Sequence, residues 1–458
     1  MSGEKWRLDL DKPNILLITI DSLRPDHLGT FGYGRETSPN IDELANRGRN
    51  FTMAFTHGGG TPQAFPPILA GVPPPVDVQQ CNLRSKKGVK IVHLLKGLGY
   101  ETGAFNSNPF LSSYYGYSDG FDQFFHDLKG AVDDRHTFAG GGIMPYLRLV
   151  FARPPYVIGE DLTQIALSWV SRTKRPFFTW IHYMDVHMPY LPPTDSVRAI
   201  EHKPCSRYYM VWLYRKMYKS NKRVYRTMDP SLSNLTNRDL ANIVNYYDGA
   251  IRYVDSCVGA LLQGLESQRK LQNTLIILTA DHGELLGEHG VVDHGYLYDQ
   301  DIHVPLIFAG SNISNARVDT PVTHLAIQKT IMDILKVDES YSSNELARGF
   351  ADFNQGIIST VVDVRRKSYS CRTMDWHYIE TSDSVLNTNV FELYNLKDDP
   401  SEEENVAADH LDLVTRFHSR IDDFVSNNRS VGEIPGPRLI SKNEEQELRR
   451  KFRELGYE

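Results

Sequence analysis

Cysteine is scarce in this chain: four among 458 residues, at Cys81, Cys205, Cys257 and Cys371. None stands in a CxxC pair or a zinc-ribbon spacing, which argues against a disulfide framework and a cysteine-bound zinc module. Four free thiols fit a reducing compartment. Long apolar runs are missing too. No stretch approaches the roughly 20 apolar residues that cross a bilayer, so no transmembrane segment is expected. The opening MSGEKWRLDL carries charges where a secretory leader needs an apolar core. These absences together predict a cytoplasmic protein. Positive charge is not in excess either, the formal net charge being -7 at pH 7. That argues against a general polyanion-binding surface and against a nucleic-acid partner, while leaving room for a local basic pocket. There is no internal repeat.

What is present reads as an ordinary globular balance, 41% hydrophobic and 23% charged. The length suits one large core plus a smaller domain. Short apolar runs at 14–20, 50–56, 100–105, 176–182, 274–280 and 302–308 read as strands. Helical patterns lie between them at 39–48, 61–70, 88–99, 161–173 and 323–336. Ser38 is the expected N-cap of the first, with Pro39 at its first turn. The run 236–266 places Leu240, Ile243, Val244, Tyr247, Ile251, Val254, Val258, Leu261, Leu262 and Leu265 at steps of three and four, which predicts a long amphipathic helix. Alternation of this kind predicts a mainly parallel sheet covered on both faces. The segment 106–160 reads as loop, and the polar stretch 337–348 as a boundary. Beyond it, short strands at 357–364, 368–371, 377–381 and 392–395 suggest a small antiparallel sheet. Helices near 408–427 and 441–455 follow. We therefore expect a catalytic domain over 1–350 and a small α+β subdomain over 351–458.

Two of the strands end in residues that bind metals, roughly 260 residues apart. Asn14–Ile20 runs into Asp21, and Thr274–Ala280 into Asp281-His282-Gly283-Glu284. In an open α/β sheet the ligand site lies beyond the carboxyl ends of the strands. Two carboxylates and an imidazole delivered there suit Mn²⁺, Mg²⁺, Ca²⁺ or Zn²⁺ acting on an anionic ester. Asp21 alone would read as a helix cap. Thr61 follows Gly58-Gly59-Gly60 and precedes Pro62, which puts it at a helix N-terminus that favours an oxyanion. It is either an N-cap or a nucleophile activated by metal coordination. His182, Asp185 and His187 lie just past a strand end, and His294 lies in Asp293-His294-Gly295. For His187 and His294 the functional reading is a contact to a substrate oxyanion. The basic stretch 203–226 reads as a solvated helix face, with a contact to an anionic polymer or lipid headgroup as the alternative.

Together these segments resemble the sulfatase family of the alkaline phosphatase superfamily, over nearly the whole chain. The motifs are NILLITIDSLRPDHLGTFGY at 14–33, SPNIDELANRG at 38–48 and PFFTWIHYMDVHMPYLPP at 176–193. YYDGAIRYVD at 246–255, the ADHGE, LGEHG and VPLI blocks within 279–308 and ELYNLKDDPSEEENV at 392–406 complete the set. The resemblance implies an alkaline-phosphatase-like α/β/α sandwich with a small C-terminal antiparallel sheet and helix. It implies one divalent ion, with a second conceivable, held by Asp21, Thr61, Asp281 and His282. Thr61, His187 and His294 become the expected catalytic groups, and His187, His294, Asn108 and Arg24 the expected substrate contacts. The expected substrate is a small-molecule, glycan-linked or lipid-linked anionic ester.

Departures from the family pattern sharpen that expectation. Spacing back from Ile68-Leu69-Ala70-Gly71 puts Thr61 at the nucleophile position, where sulfatases carry the Cys or Ser that is oxidised to formylglycine. Threonine is a secondary alcohol and gives no aldehyde that way. The usual Arg is Phe65 and the second Asp of the opening pair is Ser22. Asn106-Ser107-Asn108 stands where a Lys-containing segment is usual, and the later Lys is replaced around His294. Threonine nucleophiles occur in related phosphodiesterases and phospho-group transferases. The expected activity is cleavage of a phosphate or sulfate ester, phosphodiester favoured. The alternatives are a sulfuric ester hydrolase working without formylglycine, a transferase, and an idle anion-binding relative.

Overall fold

A computed structural model describes residues 12–83, 90–127, 154, 156–227, 229–310, 313–337, 353, 355–429 and 442–454. The first strand, β1 (Asn14–Ile20), is flanked on both sides by parallel neighbours. Its Ile and Leu side chains are buried on both faces, the pattern of a central strand. Next in the chain come β2 (Arg49–Phe55), β3 (Glu101–Asn106), β4 (Gln123–His126), β5 (Phe177–Tyr183) and β6 (Thr274–Ala280). A short hairpin, β7 (Leu285–Leu286) with β8 (Val292–Asp293), precedes β9 (His303–Gly310), β10 (Ala316–Val318) and β11 (Val322–Thr323). The main sheet runs β10-β2-β9-β6-β1-β5-β3-β4, with β11 also on β2. Only β9 pairs antiparallel, with β2 and β6, so the sheet is mixed but mainly parallel as expected. The sequence did not disclose β4, β7, β8, β10 and β11, each of four residues or fewer.

Helices fall into two groups. Pro39–Arg47 and Gly159–Val170 both pack on the long helix Asn237–Ser267, whereas Ile91–Gly97 and Leu325–Ile334 both pack on Thr61–Ala70. The long helix starts with a reciprocal capping box: Thr236 Oγ1 accepts from Asp239 N (3.3 Å) and Asp239 Oδ2 accepts from Thr236 N (2.9 Å). Its buried stripe is the one read from the sequence, Ile243 through Leu265, apart from Leu240, Val244 and Leu262, which are partly buried. Ser38 occupies the N-cap position of Pro39–Arg47, but its side chain caps nothing. Ser38 Oγ instead donates to Asp42 Oδ1 (3.0 Å) and accepts from Gly29 N (3.1 Å). The exposed amides of that helix are held by Asp255, from the long helix. Its Oδ1 accepts from Ile41 N (2.8 Å) and its Oδ2 from Asn40 N (3.2 Å).

The second sheet is antiparallel, β12 (Ile357–Val362), β13 (Arg366–Arg372), β14 (Trp376–Asp383) and β15 (Thr388–Asn395), with the helix Leu411–Asn428 against β13 and β14. This sheet braces the segment before Thr61. Thr360 N donates to His57 O (3.0 Å), Ser359 Oγ to Thr56 O (2.9 Å), and Gln63 Nε2 to Val362 O (2.9 Å). Most of the boundary expected at 337–348 lies outside the described residues. Among the described residues, no helix is long and apolar enough to cross a membrane. Asp255→Ala should lower stability by about 2 kcal/mol, because it leaves buried helix amides without acceptors. Urea unfolding checks this, an unchanged midpoint being the contrary result.

Candidate metal centre and ester-binding site

Strand register brings the two distant motifs together. Ile20 of β1 lies beside Ala280 of β6, so Asp21 and Asp281 leave adjacent strands at the same level. Both are fully buried. His282 follows at once, and its Nδ1 donates to Gly283 O (2.9 Å). That bond fixes the proton on Nδ1 and leaves the lone pair on Nε2. Nε2 is buried without a hydrogen-bond partner, 3.7 Å from Asp21 Oδ1 and 3.6 Å from Asp281 Oδ2. One ligand atom from each of the three residues lies within 4.8 Å of the others. Two carboxylates and an orphaned imidazole nitrogen are the donor set of a divalent cation. Gly283 is obligatory here, since a Cβ on it would come 1.9 Å from Gln300 O.

The carboxylates behave as a coupled pair. Burial pushes Asp21 up, but His187, His182 and His282 outweigh it and hold the carboxyl well below its usual range. Asp281 is raised, by burial first and by the neighbouring Asp21 charge second. Asp21 caps no helix. Its Oδ1 accepts from Ser22 Oγ (3.1 Å), and its Oδ2 from His182 Nε2 (3.2 Å) and Asn108 Nδ2 (3.0 Å). Ser22, in place of a second Asp, sits at φ 58° and turns its amide toward Asp281 Oδ1 (3.3 Å). His182 was singled out in the sequence only as one histidine of a cluster. Its position in β5 opposite Thr19 of β1 is what brings it to Asp21.

Thr61 is the first residue of Thr61–Ala70, one place inside the N-cap, which is Gly60. Its hydroxyl donates to Asp281 Oδ2 (3.2 Å) and accepts from Asn108 Nδ2 (3.3 Å). Asn108 therefore bridges Thr61 and Asp21 with one amide group, while its Oδ1 accepts from Phe110 N (3.0 Å). The tight approach before the helix needs glycine, because a Cβ on Gly58 would meet Gln63 Cβ at 2.5 Å. Phe65 packs edge-on to His182 with ring centroids 5.1 Å apart, inside a cluster with Trp180 and Tyr117.

On the far side, His294 stacks on His282 at 4.5 Å between centroids and lies 5.3 Å from the His187 ring. Burial lowers His294, but its hydrogen bond to Glu284 (3.4 Å) and the charges of Glu284, Asp293 and Asp301 push it up to about 10. These carboxylates favour its imidazolium form. His187 Nδ1 donates to Met188 O (2.5 Å), which fixes that ring. Glu284 and Asp293, which the sequence reading named within their motifs without giving them a role, raise His294 together with Asp301. Their signal was the acidic spacing around it in DHGE and VDHG.

Two residues stand apart. The Arg24 guanidinium is engaged by Asp26 (3.0 and 2.7 Å), Glu288 (2.8 Å) and Glu284 O (3.0 Å), which makes it a brace under the Glu284 backbone. Asp185 Oδ1 accepts from Gly159 N (3.2 Å) at the start of Gly159–Val170. Among the described residues it joins no group suited to a metal.

A mixed α/β/α sheet with acidic and imidazole ligands at its carboxyl edge defines a metal-dependent ester hydrolase. The sulfatase family model matches residues 13–337, and the chain belongs to that family, whose enzymes are metal-dependent. It is 24% identical to a Δ4,5-hexuronate-2-O-sulfatase of Bacteroides thetaiotaomicron, covering 92% of this chain and 90% of that one. It is 23% identical to arylsulfatase K of Bos taurus, covering 91% and 82%. Its fold matches a phosphonate monoester hydrolase of Agrobacterium radiobacter with a TM-score of 0.66 at 19% identity, over 91% and 95% of the two chains. Asp281→Asn should weaken Mn²⁺ binding on the order of 100-fold or more, since it removes a carboxylate from the donor set. Titration calorimetry reads this directly, and wild-type affinity in the variant would remove Asp281 from the site.

Proposed function

We propose that this chain cleaves an anionic ester, a phosphodiester ahead of a sulfate ester, with Thr61 as nucleophile. The observation that carries the reading is the Thr61 hydroxyl, held between Asp281 Oδ2 and Asn108 Nδ2 at the start of a helix. Asp21, Asp281 and His282 would hold the divalent ion, with the Thr61 oxygen facing it. When bound, that ion supplies Lewis-acid polarisation of the ester oxygens and favours the ionised hydroxyl. The helix N-terminus adds partial positive charge where the transferred group would sit.

Thr61 Oγ1 attacks phosphorus in line, and its proton goes to the carboxylate it already faces, Asp281 Oδ2. The bond to the leaving oxygen breaks, and that oxygen takes a proton from the His294 imidazolium. His187, beside it, binds the group being transferred. Water then attacks the phosphothreonine at phosphorus, giving a proton to His294, and the Thr61 oxygen leaves with the proton held by Asp281. Asn108 orients the hydroxyl throughout, and Arg24 acts as a positioning residue.

One chemical argument supports phosphorus over sulfur. An aldehyde hydrate can shed its sulfate by elimination through its second hydroxyl, and Thr61 has none. Thr61 must be cleared by a second attack on the central atom, a route open to a phosphate ester. Phe65 and Asn108 stand where the family pattern has Arg and Lys, and fewer cations suit a monoanionic group, which favours a diester over a phosphate monoester without separating phosphorus from sulfur. The relative named for hexuronate sulfate supports a glycan as the organic part.

Thr61→Ala should cut kcat on the order of 10⁴-fold, with the ion still bound but more weakly, as calorimetry would show. Full turnover in this variant would remove Thr61 from the mechanism. With Mn²⁺ present, an aryl phosphodiester should be hydrolysed faster than an aryl sulfate, and chelator should abolish the rate. The reverse order would make the activity a sulfatase reaction by direct alkoxide attack.

A further inference from the structure

Asn108 touches both the proposed nucleophile and a metal-site carboxylate, its Nδ2 donating to Thr61 Oγ1 (3.3 Å) and Asp21 Oδ2 (3.0 Å). Its remaining polar contacts decide where that amide points. Oδ1 accepts from Phe110 N (3.0 Å), and the main-chain oxygen accepts from Leu111 N (2.9 Å). Both bonds lie within the short turn Pro109–Leu111 that Asn108 caps. They shape the turn and move with it, without fixing it against the rest of the protein. A further bond comes from another element: His126 Nε2 lies 2.9 Å from the Asn108 oxygen. A carbonyl only accepts, so this nitrogen carries the proton.

His126 is the last residue of β4, the edge strand of the main sheet, and lies in register beside Asn106, the last residue of β3. From there its ring reaches forward to Asn108. The ring stacks on Phe124, two residues back on the same strand face, with centroids 6.0 Å apart. The helix Lys442–Glu454 packs against Pro109–Leu111 and buries Leu448 and Lys451. Burial pushes His126 down to about 4 and the Lys451 charge adds to this, against the opposite pull of the Asn108 oxygen and Asp127. The neutral ring is thereby favoured, and its single proton is committed to Asn108.

We propose that His126 is a positioning residue for Asn108. Its Nε2–H anchors the turn from outside and so sets the Asn108 amide between Thr61 and Asp21. Without that bond the turn keeps its internal hydrogen bonds but is free to shift as a unit. A shift of about 1 Å is enough to spoil catalytic geometry of this kind, and the contact to Thr61 is already 3.3 Å long. The effect on turnover rests on the ester-hydrolase reading, whereas the placement of Asn108 does not.

Crystal structures of full-length His126→Ala and His126→Gln test this, read together with kcat on the aryl phosphodiester. Glutamine can donate from the place of Nε2. In His126→Ala the Asn108 amide should leave hydrogen-bond distance of Thr61 and Asp21. Its kcat should fall on the order of 100-fold, with KM changed less than about twofold. In His126→Gln both contacts and most of the rate should return. An Asn108 amide unmoved in His126→Ala overturns the proposal. So does displacement in both variants, which would make the bulk of the ring the cause and not its hydrogen bond. Displacement in His126→Ala alone with unchanged kcat supports the positioning and refutes the part given to Asn108 in ester cleavage. The structures are read without turnover, so the placement is scored even if the protein cleaves no ester.

Discussion

Two carboxylates buried side by side set the terms for the rest of this molecule. Asp21 and Asp281 are carried out of water on adjacent parallel strands whose register admits no separation. Like charges in a dry site repel strongly, and neither can be left unpaired without a large desolvation cost. Amides from Ser22 and His282, the Asn108 side chain and His182 supply partial compensation. The His282 lone pair, facing the same space, invites a cation and not a proton-donating neighbour. Thr61 is meaningful because its hydroxyl is the next group on this charged centre.

Around that centre the scaffold is rigid where the chemistry needs it. The glycine segment before Thr61 is bound to the second sheet through Thr56, His57 and Gln63, so that sheet helps position a helix of the larger unit. The outer histidines are fixed differently. His187 is pinned by a backbone carbonyl, and His294 is charged by Glu284, itself fully buried. One side of the site thus holds a metal-type donor set and the other a cationic side chain. An ester group between them would have its charge and its leaving oxygen served by separate residues.

Much of this was legible before any coordinates. Periodicity located β1, β5 and β6, the long helix and the start of Thr61–Ala70, because buried strands and amphipathic helices leave strong local patterns. Strands of two to four residues leave no such pattern, and their pairing is decided by partners elsewhere. Ser38 looked like a cap because local sequence favours one, yet Asp255 from a distant helix took the role. The family resemblance placed Arg24 among the substrate contacts, and Asp185 stood beside His187 in the sequence. The three-dimensional packing gave them carboxylate and amide partners instead.

The sequence by itself determined the residue types at the strand ends, the family, and a threonine at position 61 after the glycine run. These follow from chemistry that each residue carries wherever it is placed. Tertiary structure alone decided that Asn108 joins Thr61 to Asp21, that His182 backs the same carboxylate, and that Glu284 charges His294. The first two are contacts between segments far apart in the chain, and the third closes a loop of ten residues. The register of β1 beside β5 brings His182 to Asp21.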